Sequence, residues 1–143
     1  MSVTLDANVL VYASNEADSV NDGARALLER LARGPDIVYL FWPALMGYLR
    51  IVTNHRVLPE PLTPAEATAN VARLLSPSHV RAPGEAEGFW EMYRMTAADG
   101  TRGNAVPDAH LAALMRQHGV RTIYTRDRGF RRFEGVEVRD PFA

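Results

Sequence analysis

Val3-Thr4-Leu5-Asp6-Ala7-Asn8-Val9-Leu10-Val11-Tyr12 is a short apolar run that ends in one acid and is followed at once by a second apolar run. Val3 and Leu5 suit a buried strand. Asp6 is the first polar side chain at that strand's carboxyl end, and it stands where the N-cap of a helix beginning at Ala7 belongs. Capping is the commonest use of such an Asp. In open parallel α/β sheets, however, ligands bind outside the carboxyl ends of the strands. The stretch alone leaves both roles open, and the rest of the chain must decide between them.

Working outward, Asn21 to Ala32 has helical spacing, with Ala24, Leu27, Leu28 and Leu31 on one face, and Gly34-Pro35 stops it. Ile37 to Phe41 is a continuous apolar run, as expected of a strand covered on both faces. Pro43 suits the first turn of a helix that runs to about Thr53 and carries Leu45, Met46, Leu49 and Val52. Thr63-Pro64-Ala65-Glu66 combines an N-cap, a Pro at the first helical position and a Glu two residues on, so a helix starts there and continues to Leu75. Val80 to Ala82 is a short strand. Glu85 to Ala98 is predicted helical, with Phe89, Met92, Tyr93 and Met95 inward. Pro107 to Met115 opens a strong helix ending at His118-Gly119. Thr122 to Thr125 is a strand, and Val136 to Val138 a last, edge strand. Strands alternating with helices predict one α/β domain over residues 1–143, a three-layer α/β/α sandwich about a central, mainly parallel sheet.

A chain of 143 residues buries about two thirds of its unfolded surface, so it needs no disulfide or structural metal. There is no cysteine, which excludes zinc-thiolate sites and thiol nucleophiles and suits a cytoplasmic setting. No basic segment followed by a long apolar one is present at the N-terminus, and no apolar run approaches the ~18 residues of a membrane span. The net charge of −1 is not that of a protein that binds nucleic acid by bulk charge. All 16 cations are Arg. The planar guanidinium fork suits phosphate, although a GC-rich genome accounts for the bias more simply.

Three acids share one topological position. Asp6 follows a strand, Asp127 follows another after Thr125-Arg126, and Asp108 lies in the first turn of a helix. Right-handed crossovers bring such helix starts near the carboxyl edge of the sheet. Carboxylates gathered there repel one another and are driven to protonate, unless a divalent cation relieves the conflict. All-oxygen ligation points to Mg²⁺ or Mn²⁺, which activate water and steady charge on a reacting phosphoryl group.

Four segments resemble the PIN-domain family, and within it the VapC-type ribonuclease toxins of bacterial toxin–antitoxin pairs. They are Leu5-Asp6-Ala7-Asn8-Val9-Leu10, Tyr48 to Asn54, Gly103-Asn104 with Asp108 to Leu114, and Thr125-Arg126-Asp127-Arg128-Gly129-Phe130. The resemblance implies an α/β/α PIN-like fold and a Mg²⁺- or Mn²⁺-dependent endoribonuclease. It implies a homodimer, an RNA substrate and a small cognate antitoxin. It makes Asp6, Asp108 and Asp127 metal ligands and catalytic residues, with Asn8 and Thr125 orienting them by hydrogen bonds. The family's usual Glu just before the Tyr48-Leu49-Arg50 counterpart is here Gly47, and Asp99 is the first candidate to replace it. Water also completes a Mg²⁺ shell.

Arg50, Arg56, Arg126, Arg128, Arg131 and Arg132 lie in segments expected at the same edge. Arg126, Arg128 and Arg50 are the candidates for contact with RNA phosphate. His55, His79, His110 and His118 read as structural or surface groups, with His110 the exception to watch because it is near Asp108. Trp42 and Trp90 read as core or dimer interface, and Glu85, Glu87 and Glu91 as a solvated helix face. No P-loop, G-x-S-x-G or H-E-x-x-H is present. Two rival readings stand beside the nuclease. Gly47 keeps open a catalytically weak PIN domain that works by binding antitoxin and nucleic acid. A phosphotransferase using Asp6 as nucleophile is disfavoured by Asn8, where a second Asp is typical.

Overall fold

A computed structural model describes all of residues 1–143. The strands are β1 (Ser2–Leu5), β2 (Ile37–Tyr39), β3 (Val80–Arg81), β4 (Thr122–Tyr124) and β5 (Glu137–Arg139). They form one sheet in the order β3-β2-β1-β4-β5. Every pairing is parallel, so the sheet is wholly rather than mainly parallel. The helices are α1 (Ala7–Ser14), α2 (Asn21–Arg33), α3 (Trp42–Val52), α4 (Pro64–Leu75), α5 (Phe89–Thr96) and α6 (Ala105–Gln117), with a 3-10 turn at Arg128–Arg132.

The order decides where a ligand goes. The chain runs outward from β1 to β3, then crosses back to β4 on the other side of β1. The β1/β4 border is therefore the switch point at which strand order reverses and a crevice opens at the carboxyl ends. Two apolar cores flank the sheet. One joins Val3 and Leu5 to side chains from α1, α2, α3 and α4, including Leu10, Leu27, Leu45 and Val71. The other joins Phe41 and Ile123 to α6 and to Phe130 and Phe133. Alternation along β2 shows the same division, with Val38 facing the first core and Tyr39 the second.

Local chemistry sets most boundaries. Thr63 and Glu66 form a reciprocal capping box at α4, Thr63 Oγ1 accepting from Glu66 N at 3.1 Å and Glu66 Oε1 from Thr63 N at 3.2 Å. Gly34 closes α2 at φ 80°.

Several expectations are corrected. The helix predicted over 85–98 covers only Phe89–Thr96. Gly88 at φ 81° breaks the backbone before it. Residues 84–87 are tied instead to α6, through Ala86 N to Gln117 Oε1 and His118 to the Gly84 carbonyl. Glu85 is thus not on a helix face but bonds His110 at 2.7 Å. Met95 is exposed, because the inward stripe of α5 is half-buried Phe89, Met92 and Tyr93 with buried Thr96. On α3 the stripe is Ala44, Leu45, Tyr48 and Val52, which leaves Met46 half-exposed. Trp42 and Trp90 are exposed rather than core. Trp42 Nε1 bonds the Ala82 carbonyl, and Trp90 stacks on Tyr93.

Candidate metal centre

Asp6 leaves the end of β1 with its amide donating to the Tyr124 carbonyl at 3.1 Å, which fixes it against β4. It occupies the N-cap position of α1, where the Ala7 and Asn8 amides favour its ionised form without completing a cap hydrogen bond. Its Oδ2 instead accepts from Thr125 Oγ1 at 2.9 Å. The same hydroxyl accepts from the Asp127 amide at 2.9 Å. Thr125 is buried, so one hydroxyl locks the two acid-bearing strand ends together. Asp127 then caps the 3-10 turn, its Oδ1 accepting from Gly129 N at 2.8 Å. Asp108 sits in the first turn of α6, one residue after Pro107. Arg132, at the end of the 3-10 turn, brings Nη2 to 3.6 Å from Asp108 Oδ2.

The three carboxylates act on one another. Burial is the main reason the Asp6 carboxyl is held above its ordinary range, with Asp127 adding repulsion and Thr125 opposing it. Burial likewise leads for Asp108, followed by the charges of Asp127 and Asp6, while Arg132 opposes the rise. Asp6, Asn8, Gly47, Arg50 and Asp108 line one cleft of about 190 Å³, walled by Pro43, Ile51 and Leu111. As the side chains stand, no three acids or histidines close on a common point. The donor set is nevertheless that of a hard divalent cation: oxygen ligands only, clustered negative charge, and carboxyls whose ionised form their surroundings disfavour.

The remaining expected residues fall in different places. Asn8 is exposed on the cleft wall and makes no side-chain hydrogen bond to either acid. Gly47 faces the cleft from α3, where a Cβ would meet only Ala7 Cβ, at 3.4 Å. Asp99 is exposed in the α5–α6 loop, outside the cleft lining. Arg50 lines the cleft without an ion pair. The Arg126 guanidinium lies 5.7 Å from the centres of both the Tyr12 and Phe142 rings. Arg128 is exposed. His110 is occupied by Glu85. Arg132 lies at the edge expected for it, and its pairing with Asp108 is what the fold adds. That pairing's only trace in the sequence is a cation shortly after Asp127-Arg128-Gly129. A second cavity, about 530 Å³ among Leu28, Leu62, Leu74 and Tyr48, contains none of the three acids.

A parallel sheet carrying carboxylates at its switch point agrees with the family comparison. A PIN domain model matches residues 3–136, and the chain belongs to the PIN-domain family. Within that family it belongs with the VapC ribonucleases. It is 51% identical over 144 residues to Ribonuclease VapC48 of Mycobacterium tuberculosis, covering 100% of this chain and 99% of the relative. Among solved structures, Mycobacterium tuberculosis VapC20, described as a sarcin-ricin loop cleaving toxin, superposes with a TM-score of 0.66 at 21% identity, covering 94% of this chain and 98% of that one. VapBC2 of Rickettsia felis, solved on a fragment of its promoter DNA, gives 0.67 at 17% identity, covering 97% and 98%. At those identities the two structures speak for the fold.

Proposed function

We propose that this chain is the endoribonuclease toxin of a toxin–antitoxin pair, and that residues 1–143 work as one PIN-like domain. The observation that carries the reading is that Asp6 ends β1, Asp127 follows β4 and is tied to Asp6 through Thr125, and Asp108 opens α6, in a chain similar from end to end to proteins named ribonucleases. Asp6, Asp108 and Asp127 would hold Mg²⁺ or Mn²⁺. When bound, such an ion offsets charge on a phosphodiester and lowers the pKa of water. The chain's own part is to tie Asp6 to the Asp127 backbone through Thr125, to set Asp6 and Asp108 in the cleft, and to offer Arg50 to a backbone phosphate. Hydrolysis adds a water oxygen to phosphorus and breaks one ester bond. The partners in this reading are RNA, a small cognate antitoxin and a second copy of the chain. The antitoxin is supported by the likeness to VapBC2 and to FitAB bound to a DNA fragment. No helix is long and apolar enough to cross a membrane, and the lack of cysteine suits the cytoplasm.

Gly47 favours a second reading. It leaves the cleft wall without the carboxylate usual in the family, and a weak or inactive enzyme that acts by binding follows from that loss. Induced expression separates the two. Growth arrest abolished by Asp6→Ala is the result for the enzyme, and arrest that persists in Asp6→Ala, with the variant folded, contradicts it.

A further inference from the structure

We propose that Arg132 is a resident counter-ion of the acid cluster, one that a divalent cation must displace from Asp108 and that then serves substrate phosphate. The inference rests on reading the acids as a metal site. Three contacts set the position of this guanidinium. Nη1 donates to the Gly129 carbonyl at 2.8 Å. The guanidinium carbon lies 4.4 Å from the centre of the Phe133 ring, which is itself buried. Nη2 faces Asp108 Oδ2 at 3.6 Å. The first two contacts lie within the turn and immediately after it, so they persist whatever happens at the acids.

The third contact is of a different kind. At 3.6 Å it is too long for a hydrogen bond and acts as a Coulomb contact, the kind easiest to release. Gly129 makes the approach feasible. A Cβ there would stand 2.8 Å from Arg132 Nη1 and 2.9 Å from Asp127 Oδ1. The turn that carries Asp127 therefore delivers the guanidinium to the neighbouring acid. Arg132 is the only Arg in the chain paired with one of the three acids.

Competition for one carboxylate shows why displacement follows. The ion and Arg132 are like charges competing for the same Asp108 oxygens. Once the ion holds Asp108, the guanidinium is left anchored by Gly129 and Phe133 at the edge of the acids, with Nη2 free. A bound RNA phosphate supplies the anion that the planar fork matches. Arg50 has no acid to leave, so the two arginines play different parts.

Mn²⁺ titration by calorimetry, on the intact chain checked for folding by circular dichroism, tests the idea without reference to activity. Wild type, Arg132→Gln and Arg132→Lys are compared. The expected result is tighter Mn²⁺ binding in Arg132→Gln, by about three- to tenfold given the partial exposure of the pair, with Arg132→Lys close to wild type. At saturating Mn²⁺, Arg132→Gln is further expected to raise KM for a single-stranded RNA several-fold, with kcat changed less. Unchanged or weaker Mn²⁺ binding in Arg132→Gln beside a wild type that binds would overturn the counter-ion role alone. Equal tightening in Gln and Lys would do the same, since charge would then not be the cause. A folded wild type that binds no Mn²⁺ removes the metal reading itself and this inference with it.

Discussion

Replacing Thr125 by Val tests how the site is built. Val has nearly the shape of Thr, and the position is 2% exposed, so the change removes a hydroxyl and leaves no large cavity. Two hydrogen bonds of 2.9 Å go with it, one donated to the Asp6 carboxylate and one accepted from the Asp127 amide. A bond to a charged group contributes about 1.5–3 kcal/mol and a neutral one about 1 kcal/mol. Water replaces part of the second, because Asp127 is exposed. The net cost is therefore about 2–3 kcal/mol, or roughly 5–10 °C in Tm for a chain of this size. Thr125→Ser keeps the hydroxyl and loses one methyl, a cost of about 1 kcal/mol. The Thr125 bond also lowers the Asp6 pKa, so part of its value is present only while Asp6 is ionised. Urea unfolding followed by circular dichroism at neutral and acid pH gives the three-way comparison. Wild type is expected to be more stable than Ser, and Ser than Val, at neutral pH, with the Val deficit shrinking on acidification. A Val variant within about 0.5 kcal/mol of wild type, or a deficit that does not depend on pH, would refute it.

Asp108 has a folded pKa raised above its unfolded one, so its contribution to stability is full below the ordinary carboxylate range and lost as pH rises through the folded value. Asp108→Asn should therefore raise Tm by a few degrees at neutral pH in EDTA and give no gain in acid; thermal melts at both pH values check this. Gly47→Glu adds a carboxylate at the cleft wall, where a Cβ has room, and should tighten Mn²⁺ binding about tenfold by calorimetry; equal affinity in the two proteins would mean that this position does not reach the ion. Thr63→Ala removes one half of the α4 capping box and should cost about 1 kcal/mol in urea unfolding, with no effect on Mn²⁺ affinity.

What could be read from the chain was mostly local. The helix starts at Pro43 and at Thr63-Pro64 follow from residues whose backbone preferences need no partner. The run from Val3 to Leu5 followed by Asp6 placed an acid at a strand end, and alternating strands and helices implied parallel pairing. The features that escaped depend on tertiary partners. Met46 and Tyr48 both fit a helix stripe loosely, and only packing against the first core chose Tyr48, whose hydroxyl also meets Ser14 and Asn70. Glu85 to Glu87 have good helical character, but Gly88 and the side chains of Gln117 and His118 hold them in a loop. Arg126 flanks an acid in sequence, yet its guanidinium is drawn to two rings, one of them near the other end of the chain. Arg132 and Asp108 meet only because a 3-10 turn and a helix start share the same crevice. The common edge of Asp6, Asp108 and Asp127 was legible because strand ends and helix starts have a fixed place in a doubly wound sheet, whereas which cation faces which acid does not.

In the proposed function Asp6, Asp108 and Asp127 form one metal-dependent ribonuclease site despite Gly47. The measurement to make is Mn²⁺ titration by calorimetry of wild type and Asp108→Asn, with cleavage of total RNA assayed alongside. Mn²⁺ binding and Mn²⁺-dependent cleavage by wild type, both lost in the folded variant, are the predicted result. A folded wild type that binds no Mn²⁺ and cleaves nothing, or cleavage that survives in Asp108→Asn, would contradict it.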